Sequence, residues 1–342
     1  MCRLTEFTGK GTTRAKLLPS FLSATLLGAS LCFGASAARA EQPEPLADST
    51  TLTIGQLKVA HLSPISLALE KLAGMNVDVE LVEFQRYADA RTALASGSVD
   101  VAMMGPPDVP IAVSQGIDSI IGLMGVGSWS AYPVVRNDVE IKGWEDLAGK
   151  RVGVGPASTV WFQFVAAATE AGFDYSDMEI VNVQGGGAAF NQALQRGDID
   201  VAITWEPFDS IPVVEGYGYW ATEIDYSKSD AVGGELGIIG ANREALNNKR
   251  EAIRHFVWAY VDAQRELEDS PDQWAQAIQR YTEQPQAVAE NIVKRNIEFD
   301  PVPDIEQIKI QARKFHELGV IPTDVSDQLD DYFDVELVQS VM

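Results

Sequence analysis

Apolar residues recur along this chain with two spacings, in short runs of strand length and in longer stretches with a helical period. Residues 51–55 (TLTIG), 77–84 (VDVELVEF) and 99–104 predict three strands. Helices open at Ser63-Pro64 and span 88–96, the second closed by Gly97. Ser63 is placed as N-cap and Pro64 as the first helical residue, where a missing N–H is of no consequence. A second set follows in the same order: strand 151–155 (RVGVG), helix 158–171, strand 179–183, helix 188–195 closed by Gly197, and strand 199–204. Strands alternating with helices of this length predict parallel sheets covered by helices and joined by right-handed crossovers.

One stretch of the two sets also repeats in residue identity. Residues 92–108 read TALASGSVDVAMMGPPD and residues 192–208 read QALQRGDIDVAITWEPF. Ala93, Leu94, Gly97, Asp100, Val101, Ala102 and Pro107 thus recur at Ala193, Leu194, Gly197, Asp200, Val201, Ala202 and Pro207. The repeat marks two similar α/β lobes. Ligands of open parallel sheets sit at the carboxyl ends of the strands, so two facing lobes predict a cleft between them. Its loops are 56–62, 85–87 and 105–108 in the first lobe and 156–159, 184–187 and 205–208 in the second.

Several of these loops run straight into helices, whose unpaired N–H groups favour an anion by roughly 0.3–1 kcal/mol per terminus. Ser158 and Thr159 add hydroxyls to such amides, as an anion seat or as plain N-capping. Gln184, Gly185 and the two glycines after them either let backbone approach a ligand or form an ordinary loop. Trp205 and Glu206 stand where a strand ends, and an indole beside a carboxylate suits ligand contact better than a simple turn. Asp108 holds the matching place in the first lobe, as ligand contact or helix cap. Gln56, Gly105 and Pro106 complete the first lobe's candidates. His61 offers a donor, and with Arg86 it adds positive charge to these loops. Tyr87, Trp129 and Trp161 are stacking walls or core, while His255 and His316 fall in helices and read as packing or surface.

The beginning of the chain changes the inventory. Residues 1–40 carry Arg3, Lys10, Arg14 and Lys16, then the apolar LLPSFLSATLLGASLCFG, then Ala38-Arg39-Ala40, the pattern of a secretory signal peptide cleaved after Ala40. A membrane anchor fits less well, because Pro19, serines and glycines interrupt a run short of about 20 residues. Cys32 follows Leu31 and does not match a lipidation site, and no twin arginine is present. Cleavage removes Cys2 and Cys32, leaving neither disulfide nor thiol chemistry. It also removes five Lys/Arg and one Glu, taking the net charge from −23 to −27. Such acidity argues against nucleic acid and anionic membranes as partners and reads as a solubilising surface. No His, Cys or carboxylate cluster has metal spacing, so no metal or cofactor is expected.

Three stretches, ALASGSVDVAMMGPPDVPIAVSQG (93–116), WEDLAGKRVGVGPAST (144–159) and MEIVNVQGGGAAFNQALQRGDIDVAITWEPF (178–208), carry a family resemblance. The chain resembles the periplasmic substrate-binding proteins of ABC importers for taurine, aliphatic sulfonates and nitrate, a group that shares its fold with thiamine-pyrimidine binding proteins. The likeness extends more weakly through the C-terminal helices to Val341. It implies a two-lobe α/β binding protein of the Venus-flytrap type, each lobe a mainly parallel sheet flanked by helices. Lobe one is then 41–135, lobe two 136–238, and 239–342 a helical return to lobe one, with hinge crossovers near 132–137 and 237–242. Residues 252–267 agree, since Ile253, Phe256, Val257 and Tyr260 share one helical face.

The same resemblance implies a monomeric periplasmic component that captures a small organic anion, sulfonate- or taurine-like, and delivers it to a cognate permease and ATPase. The Trp205-Glu206-Pro207 run is similar to a Trp-acid-Pro element of alkanesulfonate binders. Taurine binders are expected to carry a further acid near the second crossover to hold the amine, and here Glu235 alone lies in that region. Two other readings stay open: a binder of a pyrimidine or similar nitrogen ring with Glu206 accepting its amino group, and a periplasmic receptor module. An enzyme of related fold would need a nucleophile, cofactor lysine or cysteine cluster that the mature sequence does not offer.

Overall fold

The structure is a computed structural model that describes residues 41–155, 158–295 and 297–342. The signal segment, its cleavage site after Ala40, Cys2 and Cys32 lie outside the described residues. Two five-stranded sheets organise the chain. The first contains β1 (Thr50–Gln56), β2 (Val77–Glu83), β3 (Val101–Met104) and β4 (Ile120–Gly125). The second contains β5 (Val134–Arg136), β6 (Arg151–Val154), β7 (Glu179–Asn182), β8 (Val201–Ala202) and β9 (Gly218–Trp220), and β10 (Ile238–Asn242) returns to the first. The orders are β2-β1-β3-β10-β4 and β7-β6-β8-β5-β9.

In each sheet one strand opposes the other four. β10 is antiparallel to both β3 and β4, and β5 to both β8 and β9, whereas β1, β2 and β3, like β6, β7 and β8, pair in parallel. The reversed strand is the one that arrives from the other sheet. Its two partners satisfy its N–H and C=O groups on both sides, so it is a central strand, buried throughout in β10. Residues 126–133 and 221–237 carry the chain across, slightly earlier than the expected crossovers, because 134–136 and 238–242 are already strand on arrival. The two crossings pair with each other: Val126 N–H donates to Gly237 O at 3.0 Å, Leu236 N–H to Gly127 O at 2.9 Å, and Trp129 N–H to Gly234 O at 3.3 Å.

Helices α1 (Pro64–Lys71), α2 (Tyr87–Ala95) and α3 (Asp108–Ser114) follow strands of the first sheet, and α4 (Thr159–Glu170), α5 (Gly187–Arg196) and α6 (Ser210–Glu215) those of the second. Six more follow β10: α7 (Arg243–Asn248), α8 (Arg250–Glu268), α9 (Pro271–Thr282), α10 (Gln286–Val293), α11 (Ile305–Glu317) and α12 (Val335–Gln339). Ile253, Phe256, Val257 and Tyr260 of α8 are buried, and this helix lies on α1 and β1. The return is not confined to the first sheet, since α10 also packs on α6 and α11 on α4.

The hundred-residue repeat has a shared physical cause. After α2 and α5 the chain turns through left-handed Gly97 (φ 72) and Gly197 (φ 75), which only glycine adopts without strain. Gly97 and Ser98 N–H donate to Leu94 and Ala93, and Gly197 and Asp198 N–H donate to Leu194 and Ala193, the same paired closure of a helix end. Asp100 and Asp200 then repeat a second device. Each carboxylate accepts the N–H of a neighbouring strand residue, Thr53 at 2.9 Å or Arg151 at 3.0 Å, and neutralises a base, Lys249 or Arg151.

Ser63 departs from its expected role. It precedes α1 but lies in the helical region, following a 3-10 turn over Ala60–Leu62, and makes no side-chain cap. A capping hydroxyl needs an extended backbone at that position, and Ser63 Oγ is buried without a partner among the described residues.

Candidate functional site

A cavity of about 530 Å³ lies between the two sheets. His61, Arg86 and Tyr87 reach it from the first half, and Ser158, Thr159, Gln184, Gly185, Trp205 and Glu206 from the second. The other four candidates stand behind it. Gln56 Oε1 accepts the Tyr281 hydroxyl at 3.1 Å. Asp108 accepts Gly105 N–H at 2.7 Å and pairs with Arg91, so its carboxylate closes the turn into α3 instead of facing a ligand. Pro106 is buried. Gly105 acts by its missing side chain, for a Cβ there would stand 3.0 Å from Thr159 Cγ2 and 3.4 Å from Tyr87 Cδ2.

The halves approach each other across the cleft at further points. Ala60 N–H donates to Glu206 O at 3.2 Å. Gln85 Oε1 stands 3.8 Å from the point where a Cβ on Gly186 would lie.

The expected positive charges change character in the fold. Burial pushes the His61 imidazole down to about 3, so it is neutral at physiological pH, with Nε2 and the Tyr87 hydroxyl sharing a hydrogen bond of 2.7 Å. Arg86 is exposed and its Nε and Nη2 donate to Asp89 at 2.9 and 2.7 Å. What remains on the second-half wall is backbone. α4 starts at Thr159, and Ser158 makes no side-chain cap to it, so the first amides of the helix are not taken by that hydroxyl. α5 starts at Gly187 after left-handed Gly185 (φ 104) and Gly186 (φ 75). Gly187 is needed for space, because a Cβ there would overlap the Phe208 ring.

Glu206 reaches the cavity but is already committed. Its carboxylate accepts Ser210 N–H at 3.0 Å, Ser210 Oγ–H at 2.8 Å and Arg295 Nη1–H at 2.7 Å. The expected open acceptor for a ligand amine is therefore closed. Arg295, which follows α10, also lies 3.2 Å from Asp209 and donates to Ser130 O. Its guanidinium sits 4.9 Å over the Trp129 ring, 5.4 Å over Tyr132 and 5.1 Å over Trp220, so the first crossing and the end of β9 enclose it. One cation serves two carboxylates here. Burial, and then the charge of Glu206, push Asp209 up to about 8, so it keeps its proton at neutral pH.

Sequence reasoning did not place Arg295, Asp209 or Phe190 at the site; Glu235, the acid noted near the second crossover, enters this cavity. Asp209 follows Glu206 by one turn and could have been found by that spacing; Arg295 lies 89 residues away and has no local signal. Burial pushes the Glu235 carboxyl up to about 8. Its Oε2, Thr204 Oγ1 and His61 Nδ1 are buried without partners among the described residues. Trp129, Phe190, Trp205 and Tyr226 supply aromatic lining. Trp161 belongs to a different cluster, 6.0 Å from Phe164 and 6.2 Å from Tyr175. At neutral pH the buried wall thus carries a neutral His61, neutral Asp209 and Glu235, and the compensated Glu206–Arg295 pair.

A family model described as NMT1/THI5 like matches residues 68–274. The taurine-binding periplasmic protein of Escherichia coli (strain K12) is 29% identical over 243 residues, covering 68% of this chain and 72% of that protein. The alkanesulfonate-binding protein SsuA from Xanthomonas axonopodis pv. citri, bound to MOPS, superposes with a TM-score of 0.71 at 18% identity, over 85% of this chain and 100% of that one. The periplasmic nitrate-binding protein NrtA from Synechocystis PCC 6803 gives a TM-score of 0.70 at 17% identity, over 87% and 89%. These likenesses establish the periplasmic binding protein fold.

Proposed function

Because the chain belongs to the NMT1/THI5-like family, we propose that it is the extracytoplasmic solute-binding component of an ABC importer. It is exported by residues 1–40, cleaved after Ala40, and acts as a monomer that hands its ligand to a permease and ATPase. The ligand is a small organic anion, a sulfonate. The observation that carries this reading is the pair of helix starts at Thr159 and Gly187, where Ser158 and Thr159, and Gly185 and Gly186, line the cavity. Amides at a helix start replace the water of an anion without a counter-charge. A multiply charged anion such as a diphosphate would be poorly compensated there. The names of the relatives support the same ligand class.

The remaining acceptor, Glu235 Oε2, suits a donor on the far part of the ligand, an ammonium in particular. The lobes are 41–135 with 239–342, and 136–238, and they close as two bodies about the crossings. A ligand that contacts both lobes stabilises the closed form by its differential affinity. Titration calorimetry of the mature protein against sulfonates, nitrate, sulfate and an aminopyrimidine tests the reading. Sulfonate binding with a fall in the scattering radius of gyration is expected. Binding of the aminopyrimidine alone, or of no sulfonate up to millimolar concentration, would overturn it.

A further inference from the structure

The cavity's size and walls say more about the ligand than its anionic end does. At about 530 Å³ it has room for on the order of 18 waters at roughly 30 Å³ each, several times what a short aminosulfonate displaces. One hydrogen bond, Ala60 N–H to Glu206 O, crosses it, and the missing side chain of Gly105 leaves room for Thr159 opposite. Its apolar lining is aromatic from both halves: Tyr87 and Trp129 on one side, Phe190 and Trp205 on the other, with Tyr226 from the second crossing. Trp205 meets Phe190 at 63° and Phe208 at 89°, so neighbouring rings brace the indole edge-on. Aromatic surface of this kind is best covered by another ring, in offset or edge contact.

Polar atoms left unpaired in the same wall lie on three separate elements. His61 Nδ1 is in the turn after β1, Thr204 Oγ1 follows β8, and Glu235 Oε2 is on the second crossing. A ligand that reaches only the starts of α4 and α5 leaves these groups unsatisfied or to water, and a buried polar group without a partner is unfavourable. Building on the sulfonate reading, we infer that the ligand is a ring-bearing sulfonate, its cyclic body against the aromatic walls and a further hydrogen-bonding group beyond it, and not a short-chain aminosulfonate.

Calorimetry tests this with taurine, a short alkanesulfonate, an arenesulfonate and a cyclic aminosulfonate as probes. The ring-bearing sulfonates should bind at least about tenfold tighter than taurine, the size expected of an aromatic contact. Trp205→Ala should erase that preference, and Ala131→Phe, which fills part of the cavity, should reverse it; thermal midpoints of both variants show that they are folded. Taurine binding as tightly as the cyclic compounds would overturn the inference and leave the sulfonate reading standing. Binding of a cyclic carboxylate or aminopyrimidine with no sulfonate at all would overturn the sulfonate reading and this inference with it.

Discussion

Arg295 Nη1 lies 2.7 Å from Glu206 Oε1, a pairing in which the guanidinium is 2% exposed and the carboxylate 0%. It fastens the segment after α10 to the turn between β8 and α6, beside both crossings. Asn291 of α10 reinforces the join by donating to Ser210 Oγ at 3.1 Å. A pair held this way contributes little against an apolar isostere, but breaking it leaves a charge buried alone.

Arg295→Met should therefore lower stability by about 3–5 kcal/mol. The double variant Arg295→Met/Glu206→Gln should recover part of the loss, because the stranded carboxylate is gone. Urea midpoints of the wild type, both single variants and the double variant check this. Equal losses for the first and last would sink the claim.

The pH response of stability follows from three buried groups. Asp209 and Glu235 are both raised to about 8. Between their unfolded values near 4 and pH 8 the folded protein binds more protons than the unfolded chain, so their contribution is full below pH 4 and is lost as pH rises towards 8. His61, lowered to about 3, acts in the other sense: stability is lost as pH falls from about 6.5 towards 3. Glu235→Gln should accordingly flatten the decline of the thermal midpoint between pH 5 and 8, as followed by calorimetry. An unchanged slope counts against the burial of a protonated carboxyl. If the ligand presents an ammonium to Glu235, its binding below pH 8 releases a proton, detected as a buffer-dependent binding enthalpy.

The helix starts can be probed without altering the helices. Thr159 is the first residue of α4 and Ser158 before it is extended (ψ 131), a backbone that accepts a following proline. Thr159→Pro removes one amide donor from the cavity wall. The expected cost to sulfonate binding is about 1.5–3 kcal/mol, on the order of 10- to 100-fold in Kd, while Thr159→Val isolates the hydroxyl. Unchanged affinity in both would place the anion elsewhere.

Gly187→Ala forces a Cβ onto the Phe208 ring and should destabilise by about 1–3 kcal/mol, displacing the start of α5 and weakening binding together. Gly143 is the control, with nothing within 4 Å of its Cβ position, and Gly143→Ala should stay within about 0.5 kcal/mol. Denaturation of the two variants side by side reads the difference.

β1 to β3 and β6 to β8 were legible in the sequence because each set repeats a strand period, a helix period and a glycine-closed helix end, whereas β4, β5, β9 and β10 lie outside that repeat. The repeat itself was less informative about ligand binding than about folding. Gly97 and Gly197 close helices, Asp100 and Asp200 hold strands, and the copies diverge where the cavity begins, at Gly105-Pro106 against Trp205-Glu206 and at Asp108 against Phe208. Tyr87, Ser158, Thr159 and Trp205 line the cavity because strand ends dictate where loops go. Loop position could not show that Glu206 and Asp108 are already occupied, because Arg295 comes from a distant helix end and Arg91 from the middle of α2. Nor could it show that His61 is neutral, which depends on burial by residues far along the chain.

The reversed strand in each sheet also sets an order of completion. All five strands of the second sheet lie between residues 134 and 220, so that sheet closes from one continuous stretch of chain. The first sheet lacks its fourth member until residues 238–242 arrive, and β3 and β4 would be left about 10 Å apart with facing unpaired edges, two strand spacings. As the chain emerges from its amino end, the earlier half finishes last, its open slot filled by a strand made after the whole of the other half. A chain ending near residue 230 should hold an intact second sheet and leave the first exposing β3 and β4 to any strand able to fill the gap, another copy's β10 included.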